Sequence, residues 1–149
     1  MAEFNNSNNN TMLNGTDEND YMYNEAAYVT MVGGKGKDTL YHYGYYNVSY
    51  VTMLGGVGSD SLRNYYGDHV LMHGDAGNDT IINDYDADYA TIDAGDGNDI
   101  ISNTSYSEYV KIYGGAGNDS INNVAAYVTM DGGKGNDTIM NNASEVSIS

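Results

Sequence analysis

The sequence predicts an all-β fold, a parallel β-roll or β-helix solenoid of about seven coils. Three observations carry that prediction: a glycine-aspartate motif that returns about every twenty residues, two runs of period-two alternation between successive motifs, and columns of like residues when the copies are superposed. The motif reads GGKGKD from Gly33, GGVGSD from Gly55, GDAGND from Gly74, AGDGND from Ala94, GGAGND from Gly114 and GGKGND from Gly132. Successive starts lie 22, 19, 20, 20 and 18 residues apart, and a degenerate earlier copy, NGTDEND, spans Asn14 to Asp20. A period of this size marks a repeat that stacks on its own copies.

The chain then divides in order. Residues 1–13 are Asn-rich and are expected to be a disordered lead-in, with the MAEF start read as a cloning remnant. Residues 14–149 form the solenoid, with two strands per coil. In the first strand Met22, Leu40, Leu62, Ile81, Ile101, Ile121 and Ile139 make an apolar column that must face the core. Two residues on, and so on the same face, come Asn24, His42, Asn64, Asn83, Asn103, Asn123 and Asn141. Amides stacked at the strand spacing satisfy one another, which makes an inward Asn column tolerable; His42 is read there as a hydrogen-bonding substitute.

In the second strand the inward set is Val29, Val51, Val70, Ala90, Val110 and Val128 with Met31, Met53, Met72, Ile92, Ile112 and Met130. The outward set is Tyr28, Tyr50, His69, Tyr89, Tyr109 and Tyr127, an aromatic ladder, with Thr30, Thr52, Leu71, Thr91, Lys111 and Thr129. The tail EVSIS repeats the second strand, with Val146 and Ile148 inward, and stops where another glycine turn would begin; the array is read as a piece of a longer repeat protein.

Composition narrows the function. Twenty-one acidic residues against five basic ones give a formal charge of −16, which argues against nucleic acid or anionic lipid as a partner and for a cation. Cysteine is absent, so no disulfide or thiolate metal site is built, and no apolar run is long enough to span a membrane. His69 and His73, four residues apart on one strand, would sit about 13 Å from each other and make no transition-metal pair.

The glycine turns suit calcium. Repeated glycines let backbone adopt positive φ or approach a ligand closely, so turn carbonyls and the closing carboxylates face the gap between stacked turns. Oxygen-only ligands of that kind fit Ca²⁺ rather than zinc or copper. The candidate ligand turns are Gly33, Gly34, Gly36 and Asp38; Gly55, Gly56, Gly58 and Asp60; Gly74, Gly77 and Asp79; Gly95, Gly97 and Asp99; Gly114, Gly115, Gly117 and Asp119; and Gly132, Gly133, Gly135 and Asp137.

This GGxGxD motif followed by an aliphatic residue two places on resembles the repeats-in-toxin (RTX), hemolysin-type calcium-binding nonapeptide, over nearly the whole chain from about Asn14. The resemblance implies a β-roll in which about five ions bridge Asp38/Asp60, Asp60/Asp79, Asp79/Asp99, Asp99/Asp119 and Asp119/Asp137. It also implies a secreted or cell-surface bacterial protein that folds on Ca²⁺ after export. The chain departs from that family by carrying the motif once per coil instead of every nine residues, so calcium is expected along one edge only. The other turns, YYNVS, DYDAD, TSYSE and NVAA, are expected to be held by Asn, Ser and Tyr contacts. Asp17 and Asp20 fit either a weaker ion or an N-terminal cap.

No distinctive loop carries a unique nucleophile or base, so an enzyme is not expected. The Tyr ladder is read as a strand-favouring surface or as a face for a glycan or protein. Ice binding through Thr30, Thr52, Thr91 and Thr129 is the third reading, with Leu71 and Lys111 interrupting that row.

Overall fold

A computed structural model describes residues 1–44, 49–104 and 106–149. The chain winds through β1 (Glu3–Asn6), β2 (Met12–Asn14), β3 (Tyr21–Asn24), β4 (Thr30–Lys35), β5 (Thr39–Tyr43), β6 (Thr52–Val57), β7 (Ser61–Tyr65) and β8 (Leu71–Ala76). It continues through β9 (Thr80–Asp84), β10 (Thr91–Asp96), β11 (Ile100–Asn103), β12 (Lys111–Ala116), β13 (Ser120–Asn123), β14 (Thr129–Lys134), β15 (Thr138–Asn141) and β16 (Ser147–Ile148). Odd strands form one eight-stranded sheet and even strands the other, each in simple chain order. All pairings are parallel. The result is the all-β parallel solenoid that the repeat period calls for; no helix of the described residues is long and apolar enough to cross a membrane.

Register follows the columns. Met22 aligns with Leu40, then Leu62, Ile81, Ile101, Ile121 and Ile139, and the first six of these are fully buried. Val29, Val51, Val70, Ala90, Val110 and Val128 are buried with the Met/Ile column beside them, and these residues form a single core cluster. Each coil is too thin to bury its apolar face alone, so the stabilising contacts lie between neighbouring coils.

The N-terminal segment differs from expectation. Glu3–Asn6 is a strand paired with β3, with Phe4 beside Met22 and Asn6 beside Asn24. Asn6 Nδ2 donates to Asn24 Oδ1 at 2.8 Å. The lead-in is ordered because Phe4 and Asn6 reproduce the apolar-then-Asn spacing of every later first strand; its Asn-rich composition conceals that match.

The Asn column is a directional ladder. Nδ2 of Asn64 donates to Oδ1 of Asn83, and the pattern repeats from Asn83 to Asn103, Asn103 to Asn123 and Asn123 to Asn141, at 2.8 to 3.0 Å. Each amide spends its second hydrogen on a turn carbonyl, as Asn83 does on Ala87 and Asn103 on Ser107. Truncating one member strands two buried partners, each costing roughly 1–3 kcal/mol. His42 interrupts the ladder. Its Nδ1 lies 3.0 Å from Asn24 Nδ2 and 3.1 Å from the Asn24 carbonyl, whereas Nε2 and Asn64 Oδ1 have no partner among the described residues.

The aromatic ladder lies elsewhere than the alternation suggests. Tyr28, Tyr50, His69, Tyr89, Tyr109 and Tyr127 belong to the turns before the second strands, all with left-handed backbone between φ 45° and 58°. Their rings stack along the axis with centroids 4.8 to 5.5 Å apart and planes within 17° of parallel. A stacked aromatic pair contributes about 0.5–1.5 kcal/mol beyond its buried area, which offsets much of the strain of a non-glycine residue in that region. In the DYDAD turn Ala87 N–H donates to Ser107 Oγ, as expected of Ser contacts, and Asp68 and Asp88 add carboxylates that accept the Asp88 and Glu108 amides. Residues 45–48 of the YYNVS turn and Ser105 of TSYSE lie outside the described residues.

Candidate metal centre

Each glycine turn begins inside a strand. Gly33, Gly34 and Lys35 are the last residues of β4, and Gly34 pairs in register with Gly56, so the first three motif positions stay in the sheet although the second has positive φ, and the bend falls on the last three. The fourth position tolerates only glycine. Gly77 has φ 139°, and a Cβ there would lie 1.4 Å from the Gly58 carbonyl oxygen of the preceding coil. The turns stack on one another through this backbone contact, which brings all six sequence-identified turns into one column.

The closing aspartates form a second ladder. Asp38 N–H donates to Asp60 Oδ1, Asp60 to Asp79, and Asp79 to Asp99, each at 2.7 Å. Asp99 donates to Asp119 and Asp119 to Asp137, at 2.9 Å. These bonds occupy one oxygen of each carboxylate. The other, Oδ2 of Asp38, Asp60, Asp79, Asp99 and Asp119, is buried without a hydrogen-bond partner among the described residues. Neighbouring carbonyls crowd the same spot: a Cβ added to Gly55 would meet Asp60 Oδ2 at 2.7 Å and the Gly74 carbonyl oxygen at 2.7 Å. Gly33 is flanked likewise by Asp38 Oδ2 and the Gly55 oxygen, and Gly114 by Asp119 Oδ2 and the Gly132 oxygen. Ala94 fills this place in the fourth turn.

Electrostatics agree with an unmet need for positive charge. Burial, then the like charge of neighbours, pushes Asp60 up to about 6 and Asp79 up to about 7, against the amide bonds that pull them down. Asp38, Asp99 and Asp119 are raised for the same reasons. A buried carboxylate oxygen with no donor costs more than a lost hydrogen bond unless it is protonated or meets a cation. The donor set, carboxylates plus glycine carbonyls, fits Ca²⁺. No group of three or more His, Asp or Glu side chains converges on one point among the described residues, so each gap offers two carboxylates completed by backbone.

The degenerate turn differs. Asp20 Oδ2 accepts the Thr16 amide at 2.6 Å and the Thr16 hydroxyl at 2.8 Å, and its Oδ1 accepts the Ala2 amide. Burial pushes its carboxyl up, but these hydrogen bonds outweigh that and hold it below the usual range. Asp20 thus has internally what the other aspartates lack. Thr16, standing where five of the six later turns carry glycine, is the sequence signal. The carboxylates of the DYDAD turn are engaged locally: Asp84 binds Arg63 and Thr104, and Asp88 caps the Glu108 amide. His73 pairs with Asp93 at 3.6 Å, and His69 sits in the aromatic stack. A second aromatic group around Arg63, with Tyr41 and Tyr65 beside the guanidinium, escaped the sequence reading because it spans strands of different coils.

No curated protein and no solved structure matches the chain. The RTX calcium-binding nonapeptide repeat matches four times, at residues 71–89, 91–103, 110–123 and 129–143. Residues 71–143 therefore carry four copies of the RTX calcium-binding repeat.

Proposed function

We propose that the chain is a structural repeat module whose glycine-turn edge binds calcium, with ions bridging Asp38/Asp60, Asp60/Asp79, Asp79/Asp99, Asp99/Asp119 and Asp119/Asp137. The observation that carries this reading is the set of five buried, unpartnered Oδ2 atoms, one for each gap between six stacked turns. The aspartates and the carbonyls of Gly55, Gly74, Ala94, Gly114 and Gly132 hold the ions. The other turn glycines, Gly33, Gly34, Gly36, Gly56, Gly58, Gly77, Gly95, Gly97, Gly115, Gly117, Gly133 and Gly135, let the backbone approach closely enough to do so. Bound calcium supplies positive charge that neutralises the column and ties each coil to the next. Asp20, already satisfied by Thr16, ends the column as a cap.

The same balance supports folding coupled to export. With a charge of −16, the chain repels itself where calcium is scarce. Extracellular calcium modules bind at roughly 10⁻⁴–10⁻³ M, a concentration met outside cells and not in the cytosol. Metal binding energy then becomes folding energy. RTX repeats belong characteristically to secreted proteins, and a part in a bacterial surface adhesin or toxin-type product follows that pattern. The aromatic ladder supports protein docking better than sugar stacking, since its ring faces are covered by neighbouring rings and only edges and hydroxyls are offered.

Circular dichroism during a Ca²⁺ titration from chelator tests the reading: β-structure is expected to form cooperatively at millimolar Ca²⁺. A fully folded spectrum in EDTA, unchanged by calcium, would sink it.

A further inference from the structure

We infer that Asp75 loads the Asp60/Asp79 gap with a third negative charge and makes it the tightest of the calcium sites, the one filled first. This rests on the reading of the gaps as calcium sites. Five of the six glycine turns carry glycine at the second motif position, with φ from 90° to 109°; the third turn carries Asp75, at φ 72°. Glycine is favoured there on steric grounds. A Cβ at Gly95, the same position one coil on, would lie 2.1 Å from the Asp75 carbonyl oxygen. Asp75 therefore occupies a place that resists side chains, and the side chain it brings is charged and exposed.

Its position relative to the gap follows from register. Asp75 lies in the turn that closes with Asp79 and pairs with Gly56 in the turn that closes with Asp60. It also lies against Gly95 of the next turn, but a Cβ at this motif position is directed at the carbonyl of the preceding coil, as at Gly56 against Gly34 and at Gly95 against Asp75. The Asp75 side chain therefore leaves the backbone toward the turn that closes with Asp60, and Asp60 and Asp79 each keep a buried Oδ2 without a partner among the described residues. The charge of Asp75 is felt at both carboxylates, behind burial and the charge of neighbouring ladder members, and is not among the influences on Asp99. Since no three carboxylates converge on one point, Asp75 acts from the rim, by its charge. Calcium affinity in oxygen sites rises with the count of negative groups.

Isothermal titration of Ca²⁺ into the whole chain and into Asp75→Asn and Asp75→Gly tests the inference. The unaltered chain is expected to show one tight binding event ahead of weaker ones. Both variants should weaken that event by about tenfold or more, as loss of a nearby charge requires, with the same total ion count. In EDTA neither variant should show less residual β-structure than the parent by circular dichroism, because a repulsive charge has been removed. Asp75→Gly restores the residue of five other turns, so it keeps the test decisive if the amide variant folds poorly. An unchanged tight constant in Asp75→Gly overturns the inference, whereas no calcium uptake by the parent chain overturns the calcium reading itself.

Discussion

The two edges of the solenoid solve one problem in opposite ways. Both must reverse the chain with backbone at positive φ in every coil. The metal edge does it with glycines, the other with Tyr28, Tyr50, His69, Tyr89, Tyr109 and Tyr127. Glycine leaves the space between turns open to oxygen atoms, and five carboxylate oxygens are left there without donors among the described residues. Tyrosine fills the equivalent space with stacked rings, while Asp68 and Asp88 on that edge cap amides of the next coil. One edge is built to need a ligand and the other to need none.

Substitutions at corresponding places sharpen this contrast. The largest effect is expected from Gly77→Ala or Gly97→Ala, where a Cβ would lie 1.4 or 1.6 Å from a carbonyl of the preceding coil. Each should cost about 3 kcal/mol or more in chemical denaturation with calcium present. A cost below 1 kcal/mol would show that the turns stack less closely than described.

Next comes the carboxylate column. Asp99→Ala should remove two bound ions by calorimetric count, and Asp137→Ala only one, because Asp99 faces two gaps and Asp137 closes the last. Equal losses would contradict bridging between turns.

The pH dependence is third. Asp60 and Asp79 hold protons more tightly folded than unfolded, rising from 3.8 to about 6 and about 7. Their contribution to the calcium-free fold is complete below about pH 4 and is lost as pH rises through 6 to 7. His42, driven by burial from 6.5 to about 4, has the opposite sign: its contribution is complete above 6.5 and is lost as pH falls towards 4. The β-structure retained in EDTA, followed by circular dichroism, should therefore fall from pH 5 to 8, calcium should suppress that loss, and His42→Asn should remove the weakening on the acid side. A calcium-free β-signal that climbs steadily to pH 8 would contradict the raised carboxylates.

The smallest effect lies on the aromatic edge. Tyr89→Ala gives up two stacks, at about 0.5–1.5 kcal/mol each, and keeps the left-handed strain. Tyr89→Gly gives up the same stacks but relieves the strain, and should be the more stable of the two by denaturant midpoint. The reverse order would mean that the ring positions carry no strain.

Much of this architecture is legible in the chain because each column obeys one physical rule. Ile81 above Ile101 above Ile121 is unambiguous once the copies are aligned, and so is the Asn column beside it. The misreadings have local causes. Phe4 and Asn6 carry the strand pattern once only, inside an Asn-rich stretch. Tyr28 and Thr30 alternate as strand residues do, and sequence spacing does not reveal the left-handed backbone at Tyr28. The state of Asp20 depends on Thr16 four residues earlier, a bond visible only once the turn is closed.

The break at His42 divides the rod into blocks. In a linear array, stability is a sum of coil energies and nearest-neighbour couplings, and among the described residues no side-chain hydrogen bond joins His42 to Asn64, where every later pair of coils has one. Cooperativity is therefore weakest across that junction. Opening should stop there, with the uninterrupted run from Asn64 to Asn141 behaving as one unit and the first coils fraying as another.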